Sequence, residues 1–321
     1  MLRGAIIGFG AVAENGHTPA YAQSTQVEIA GVVDPTPERR EAAHRCFPGV
    51  ATFATMAELP DDLNFVDVCT PPSRHGEMIR AALARGCHVL CEKPLVLDLG
   101  ELEQIRMLAE KSERAVVPVH NWKYAPIIRR ATEALRAGEV GTLGEIEIET
   151  LRIEDCAAAD PNNPNWRRDP VLAGGGILMD HGWHAIYLAR HWFREDPAGI
   201  EVELHRSAAG IEDEAKLTLR FPAGHATIFL TWRAVARRNS MRLIGDQGTI
   251  AIEDDVLKIG AKEIRFERAL SAGSHHADWF AAMLPDVIES FASPAKARRQ
   301  FEEAAVCLST IRRAYEIAGG T

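Results

Sequence analysis

Residues 4–13 read Gly-Ala-Ile-Ile-Gly-Phe-Gly-Ala-Val-Ala, a short apolar run that leads directly into the pattern G-x-G-x-x-A. This pattern is typical of the turn between the first strand and first helix of a Rossmann unit. Its glycines permit a tight turn and the close approach of a pyrophosphate, which the helix N-terminus then holds. The residues expected to contact a dinucleotide at this turn are Gly8, Phe9, Gly10, Ala11 and Val12.

The region around this turn alternates between short apolar runs and segments of helical periodicity as far as residue 120. The runs that predict strands lie at residues 4–7, 27–33, 65–69, 88–91 and 115–119. The segments that predict helices lie at residues 11–23, 37–46, 74–85 and 98–113. Continuous apolar strands that alternate with helices are typical of a parallel sheet covered on both faces. Residues 1–120 are therefore predicted to form an α/β Rossmann domain.

The pattern changes after Asn121. A predicted helix over residues 125–137 is followed by strict alternation from Glu145 to Glu149, which indicates a strand with one buried face. Further strands are predicted near residues 199–206, 214–221, 225–233, 240–244, 248–253 and 263–267, and helices near 276–292 and 297–318. Residues 121–321 are therefore predicted to form an α+β domain with a large, mostly antiparallel open sheet.

The predicted strand at residues 27–33 ends in Asp34, about twenty residues beyond the glycine turn. An acidic side chain at this point can accept hydrogen bonds from the adenosine ribose and would repel a 2′-phosphate. Asp34 therefore favours NAD as the cofactor. Arg39 and Arg40 could instead approach a 2′-phosphate, so NADP stays open as the alternative.

The chain has 321 residues, 46% of them hydrophobic, and a formal net charge of −9 at pH 7. The length suggests two domains, and the negative charge argues against a nucleic-acid or anionic-membrane surface. No apolar stretch approaches the roughly 20 residues of a membrane helix, and Gly8 interrupts the first apolar run. No signal peptide is therefore expected, and a cytoplasmic location is predicted. The six cysteines include no Cys-x-x-Cys pair and are expected to be reduced core residues, and no motif requires a metal.

Asp180 and His184 form a candidate pair for acid/base chemistry. They lie four residues apart in a predicted helix after three glycines, a spacing that places both side chains on one helix face. Histidine exchanges protons near neutrality, and a neighbouring carboxylate can orient it. Lys93 follows a predicted parallel strand, at the sheet edge where ligands bind, and could stabilise an alkoxide. The alternatives are structural roles: a helix-start aspartate, a core histidine and a surface lysine paired with Glu92.

Three stretches, in this order, make the chain resemble the glucose–fructose oxidoreductase and inositol dehydrogenase family (Gfo/Idh/MocA). They are TPPSRH at residues 70–75, VLCEKP at residues 89–94 and GGGILMDHGWH at residues 174–184. The resemblance covers nearly the whole chain. It implies an NAD(P)-dependent dehydrogenase or reductase of sugars, cyclitols or related compounds, with a Rossmann domain followed by an open sheet that often supports dimers or tetramers.

The resemblance also implies roles for individual residues. Lys93, Asp180 and His184 match the family's catalytic lysine, aspartate and histidine, with His184 the principal acid/base. Which of Asp180 and His184 holds the transferred proton first is left open. The residues expected near the cofactor, besides those of the glycine turn and Asp34, are Thr70, Pro71, His75, Glu92 and Lys93. The residues expected near the substrate are Lys93, Asn121, Lys123, Trp166, Arg167, Asp180 and His184.

The chain departs from the family pattern at two of these places. Many members have aspartate where Tyr187 stands and arginine where Lys123 stands, so the roles of Tyr187, of Lys123 and of the nearby His181 are left open. Two other functions suit the same fold: a glycosidase that uses bound NAD for transient oxidation, and a non-catalytic NAD-sensing regulator. The expected partners are a small sugar or polyol substrate and further copies of the chain, in a homodimer or homotetramer formed through the C-terminal sheet.

Overall fold

The computed structural model of the chain describes residues 1–153, 166–207, 210–273 and 275–319. The chain divides into two compact units. The first contains Met1–Asn121 and His275–Ala305, and the second contains Trp122–Ser274 and Val306–Thr321. The predicted second domain was one continuous stretch, whereas the structure groups His275–Ala305 with the first unit.

The first unit contains a six-stranded, fully parallel sheet in the order β3-β2-β1-β4-β5-β6. Its strands are β1 Leu2–Ile7, β2 Val27–Val33, β3 Ala51–Phe53, β4 Phe65–Val68, β5 His88–Cys91 and β6 Val116–Pro118. This is the strand order of a dinucleotide-binding Rossmann sheet, whose ligands bind outside the carboxyl ends of the strands. The predicted Rossmann fold is confirmed. The prediction missed β3, because a strand of three residues is too short to show a period.

Where a helix was predicted, the helix in the structure lies close to the predicted segment. In chain order they are α1 Thr18–Gln23, α2 Pro37–Cys46, α3 His75–Ala84, α4 Leu99–Ser112, α5 Pro126–Arg136, α6 Pro170–Ala173, α7 Trp183–Phe193, α8 Ala277–Ala292 and α9 Pro294–Ile317. A π-helical turn, Ala13–His17, precedes α1. The helical segment after the glycine turn therefore begins wide and tightens at Thr18.

Aromatic packing explains why residues 275–305 belong to the first unit. Phe280 of α8 stacks on the imidazole of His17, with ring centroids 3.8 Å apart, and lies edge-on to Tyr21. Phe291 of the same helix packs against Phe65 of β4, with centroids 5.5 Å apart. These rings cover apolar surface that the first 121 residues would otherwise expose.

The second unit contains an eight-stranded sheet in the order β14-β13-β12-β11-β7-β10-β9-β8. Its strands are β7 Leu143–Leu151, β8 Gly199–Arg206, β9 Glu212–Phe221, β10 Gly224–Thr231, β11 Arg238–Gly245, β12 Gly248–Glu253, β13 Val256–Ile259 and β14 Lys262–Arg265. All neighbouring pairs are antiparallel except β7 and β10. The predicted, mostly antiparallel sheet is confirmed, although β13 was not predicted.

No helix among the described residues is both long enough and apolar enough to cross a membrane. The described cysteines are free thiols: Cys69, Cys87, Cys91 and Cys307 are buried and Cys46 is half-buried. Cys156 lies outside the described residues.

Candidate active site

The turn after β1 has the shape that a dinucleotide requires. Gly8 has a φ of +87°, and a Cβ at this position would lie 2.9 Å from the backbone nitrogen of Thr70. Glycine is therefore required both by the conformation and by the close approach of the neighbouring strand end. A Cβ on Gly10 would meet no atom within 4 Å. This open space at the helix start fits a pyrophosphate.

Asp34, which follows β2, is buried and connects two loops. Its Oδ2 accepts a hydrogen bond from the Phe9 backbone N–H at 2.8 Å, and its Oδ1 accepts one from the Thr36 N–H at 2.9 Å. Arg40 donates to the carbonyl of Asp34 at 2.7 Å, and Arg39 lies 3.4 Å from the carboxylate of Glu14. Arg39 and Arg40, the two arginines that could approach the 2′-phosphate of NADP, thus both have partners within the protein.

His75, at the start of α3, joins two of the loops predicted to contact the cofactor. Its Nε2 lies 2.7 Å from the carbonyl oxygen of Thr70, and its Nδ1 lies 2.8 Å from that of Pro94. Burial lowers the pKa of His75, and these two carbonyls oppose the change. The hydroxyl of Thr70 is buried and has no hydrogen-bond partner within the described part of the chain. An orphaned hydroxyl beside the glycine turn fits a loop that contacts a bound dinucleotide.

Lys93 lies two residues beyond the end of β5, at the same edge of the sheet as Gly8 and Thr70. Its backbone N–H donates to Oε2 of Glu92 at 3.0 Å, while Oε1 of Glu92 lies 3.1 Å from Nε2 of His17. Burial raises the pKa of Glu92, but the hydrogen bond and charge of His17, with the charge of Lys93, outweigh it and lower that pKa below its ordinary value. Glu92 is therefore an ionised carboxylate beside Lys93.

A buried polar group, which we call the His17 cluster, lies beneath this loop. It consists of His17, Tyr21, Asp67, Cys69 and Glu92. Nδ1 of His17 and the hydroxyl of Tyr21 both donate to Oδ2 of Asp67, at 2.7 and 2.8 Å. This cluster was not predicted from the sequence, although Asp67 is the one charged residue in β4.

Three members of the cluster could in principle hold a metal ion, because the donor atoms of His17, Asp67 and Cys69 lie within 4.8 Å of one another. The geometry favours hydrogen bonding. Nδ1 of His17 and Oδ2 of Asp67 are 2.7 Å apart, whereas two nitrogen or oxygen ligands of a tetrahedral zinc ion would be about 3.3 Å apart. Burial and the charge of Asp67 raise the pKa of Cys69 to about 12, so the thiol stays protonated.

The helix that carries Asp180 and His184 begins with a π-helical turn, Leu178–Gly182, and continues as α7. The predicted helix is confirmed, but its first turn is wider than an α-helix. The wide turn contains Asp180, whereas His184 lies in the regular helix. Such insertions change the direction of side chains and are frequent at functional sites.

The start of this helix is fixed by a buried carboxylate, Glu212 of β9. Its Oε1 accepts hydrogen bonds from the N–H groups of Gly176 and Leu178, at 2.7 and 3.2 Å, and from the hydroxyl of Tyr315 at 2.7 Å. A Cβ on Gly175 would lie 2.0 Å from the Tyr315 hydroxyl, and one on Gly176 would lie 2.0 Å from the Glu212 carbonyl. The last two of the three glycines therefore allow Glu212 and Tyr315 to pack against this helix start.

His184 is buried among aromatic side chains. Its Nδ1 lies 3.0 Å from the hydroxyl of Tyr187, and its ring stacks on Trp122 with centroids 4.9 Å apart. The backbone N–H of Trp122 donates to the same Tyr187 hydroxyl at 3.1 Å. Tyr187 thus fixes one nitrogen of the imidazole, a role that the sequence analysis left open.

The other predicted residues of the second unit lie around this helix. Arg167 stacks on Trp166 with its guanidinium carbon 4.4 Å from the ring centroid, and its Nε lies 3.9 Å from Oδ2 of Asp180. Nε2 of His181 lies 3.7 Å from the same oxygen. The ammonium of Lys123 lies 5.6 Å from the ring centroid of Tyr187. The structure therefore places Arg167 next to Asp180 and Lys123 next to Tyr187. Asn121 is half-buried and belongs to the first unit, as the last residue of the segment Met1–Asn121.

Comparison with known proteins identifies the family. Residues 2–120 match the model of the GFO/IDH/MocA oxidoreductase family with its NAD-binding Rossmann fold, and residues 128–251 match the model of the GFO/IDH/MocA C-terminal domain. The chain belongs to the GFO/IDH/MocA family. Residues 2–120 accordingly form an NAD-binding Rossmann fold.

Individual relatives agree with this assignment. The chain is 27% identical to levoglucosan dehydrogenase from Pseudarthrobacter phenanthrenivorans, over 68% of this chain and 63% of that one. It is 23% identical to inositol 2-dehydrogenase from Rhizobium meliloti, over 74% and 72%. A solved levoglucosan dehydrogenase in complex with NADH has the same fold, with a TM-score of 0.84 at 21% identity, covering 99% of this chain and 97% of that one. In sequence, the chain spans between 52% and 63% of the length of four of the curated relatives that it matches.

Proposed function

We propose that this chain is an NAD-dependent dehydrogenase or reductase that interconverts a secondary alcohol and a ketone in a sugar, cyclitol or polyol. The observation that carries the proposal is the oriented imidazole of His184. Its Nδ1 is held by Tyr187 at 3.0 Å, on a helix that also presents Asp180. Relatives named levoglucosan dehydrogenase and inositol 2-dehydrogenase support the class of substrate.

Bound NAD supplies the hydride chemistry. The protein has to move the hydroxyl proton and stabilise the charge that develops on the substrate oxygen. In oxidation, Nε2 of His184 takes the proton of the alcohol while the hydride leaves its carbon. The hydroxyl oxygen of Tyr187 has two lone pairs, so it can accept from both Trp122 N–H and His184 Nδ1–H. In that tautomer the proton of the neutral ring is on Nδ1, and Nε2 is the nitrogen that takes up the alcohol proton.

Lys93 and Asp180 have complementary roles in this proposal. The ammonium of Lys93 donates a hydrogen bond to the substrate oxygen and stabilises it as an alkoxide. Asp180, with Arg167 3.9 Å from its carboxylate, accepts a hydrogen bond from a substrate hydroxyl and orients the ring. Trp166 and Lys123 contribute further substrate contacts, through indole stacking and hydrogen bonding.

A spectrophotometric screen tests this function. Purified protein is incubated with NAD or NADP and a panel of sugars, cyclitols and polyols, and NADH formation is followed. The same panel should include chromogenic glycosides, because an NAD-dependent glycosidase would release the chromophore without net NADH, and a pure NAD sensor would turn over nothing. We expect NADH formation from at least one polyol or sugar, with NAD preferred.

Variants then test the assigned residues. Lys93→Met and His184→Asn should each lower kcat by roughly 10²–10⁴-fold with NAD binding nearly unchanged, because each removes a group that acts on the substrate oxygen. Matched controls are Lys111→Met, at an exposed position of α4, and His191→Asn, in the last turn of α7. Both controls should keep wild-type turnover. Normal turnover in both Lys93→Met and His184→Asn would refute the assignment.

A further inference from the structure

The imidazole of His17 has an acidic partner on each side. Nδ1 lies 2.7 Å from Oδ2 of Asp67, and Nε2 lies 3.1 Å from Oε1 of Glu92. An ionised carboxylate only accepts hydrogen bonds, so each ring nitrogen has to carry a proton. Burial by itself lowers the pKa of His17, but the charge and hydrogen bond of Asp67, together with Cys69, raise it well above the ordinary value. The ring is therefore an imidazolium.

The surroundings of this imidazolium come from four elements. Tyr21 of α1 supplies a hydroxyl, and Phe280 of α8 supplies the ring that stacks on the imidazole. Asp67 lies in β4, and the thiol of Cys69 comes directly after that strand. Glu92 follows β5. The imidazole is 2% exposed. A cation this deeply buried is stable only because both its protons bind carboxylates.

Glu92 extends this pairing to the proposed active site. One of its carboxylate oxygens faces His17, and the other accepts from the backbone N–H of Lys93 at 3.0 Å. Tyr21 donates a second hydrogen bond to Asp67, and Glu92 is the acceptor for the other imidazole proton. His17 also ends the π-helical turn that follows the glycine turn. A chain of hydrogen bonds thus runs from the dinucleotide-binding helix to Lys93.

We propose that His17 is a positioning residue. Held between Asp67 and Glu92, it fixes the Glu92 carboxylate and, through it, the backbone from which the Lys93 side chain reaches the substrate. The inference rests on the proposed function, in which Lys93 acts on the substrate oxygen. Since misplacement of a catalytic group by about 1 Å can cost a hundredfold in rate, loss of this support should appear in turnover.

The double variant His17→Gln/Asp67→Asn tests the proposal. It removes the charges of His17 and Asp67 together, so Asp67 is not left as a buried carboxylate without its imidazolium partner, and it leaves Glu92 and Lys93 in place. With a substrate found in the screen, kcat should fall roughly ten- to hundredfold. The Kd for NAD should change by less than about threefold, since no phosphate-binding group is altered.

His88→Gln is the matched control. Like His17, His88 lies in the first unit and its imidazole stacks on a phenylalanine of α8. Its ring centroid lies 5.0 Å from that of Phe291. It begins β5, at the opposite end of the strand from Glu92, and its Nδ1 accepts a hydrogen bond from Ala115 at 3.0 Å. Burial lowers its pKa to about 4, so it is neutral. This variant should keep the wild-type kcat.

The outcomes separate this inference from the proposed function. Normal kcat in a folded double variant, or a loss of NAD binding as large as the loss of kcat, would overturn the positioning role while leaving the proposed function intact. Normal kcat in Lys93→Met would refute the role of Lys93 on which this inference rests, whereas a screen without NADH formation from any compound would refute the function itself. A readout independent of activity is ¹⁵N NMR of the histidines at pH 7.5. His17 should have both ring nitrogens protonated and His88 only one, and a neutral His17 would overturn the inference.

Discussion

Asp67 in the first unit and Glu212 in the second are both almost completely buried, yet their partners differ. Asp67 accepts from a charged imidazole and from the hydroxyl of Tyr21, whereas one oxygen of Glu212 accepts from two backbone N–H groups and the hydroxyl of Tyr315. The neutral donors do not compensate burial fully, so burial raises the pKa of Glu212 despite its hydrogen bonds. A buried carboxylate can therefore be held by a counter-charge or by dipoles, and the two arrangements should respond differently to mutation.

The largest effect should come from Asp67→Asn. The amide keeps the shape of the side chain but leaves the His17 imidazolium without its main counter-charge. Removing one partner of a buried ion pair costs about 3–5 kcal/mol, so the free energy of unfolding should fall by this amount. Urea-induced unfolding followed by circular dichroism measures it. A loss below about 1 kcal/mol would indicate that His17 is neutral, and the double variant with His17→Gln should be less destabilised than Asp67→Asn alone.

An intermediate effect is expected from removing one hydroxyl at each centre. Tyr315→Phe takes one of three donors from a carboxylate whose hydrogen-bond donors among the described residues are all neutral, and hydrogen bonds to charged groups contribute about 1.5–3 kcal/mol. Tyr21→Phe leaves Asp67 paired with His17 and should cost less, about 1 kcal/mol. The same unfolding experiment at pH 7 compares the two. A larger loss in Tyr21→Phe than in Tyr315→Phe would reverse the distinction between the centres.

The smallest effect should come from Glu212→Gln, whose carbonyl oxygen can still accept from the three donors. We expect the free energy of unfolding to change by less than about 1 kcal/mol at neutral pH, because a buried charge disappears together with its desolvation cost.

The dependence of the stability of Glu212→Gln on pH is the sharper test. Burial raises the pKa of Glu212 in the folded protein, so the folded protein keeps a proton that the unfolded chain loses above about pH 4. The free energy of unfolding of the wild type therefore declines as the pH rises through the folded-state pKa of Glu212. The stability of Glu212→Gln relative to the wild type should therefore increase with pH over that range, and parallel curves would exclude a raised pKa.

The sequence predicted the first sheet well because its strands are continuous apolar runs beside turn residues. It also predicted that Gly8 would be required, since a tight turn followed by a helix needs glycine at that position. The partners of the catalytic candidates could not be predicted in the same way. Glu212 and Tyr315 are about 100 residues apart in the chain, and nothing local marks them as one contact. Asp67 left a signal, a charge inside an apolar strand, but its partner His17 lies 50 residues earlier.

Tyr187 shows a different limit of sequence analysis. Its spacing of three residues from His184 allows a contact on a helix, but only the structure shows that its hydroxyl also accepts from Trp122. The family pattern directed attention to the aspartate that Tyr187 replaces. The geometry instead indicates that a neutral phenol orients the imidazole in this chain.

The return of His275–Ala305 to the first unit affects how the protein is made. Phe280 and Phe291 complete the packing around His17 and Phe65, but they are synthesised about 160–170 residues after Asn121. At translation rates of about 5–20 residues per second, the ribosome needs roughly 8–34 s to add that stretch. During this interval the Rossmann sheet lacks the aromatic cover of α8, and its contacts with that helix are of high sequence separation, which slows folding. The nascent N-terminal half therefore exposes apolar surface until α8 emerges, and this is the period in which a chaperone would protect it.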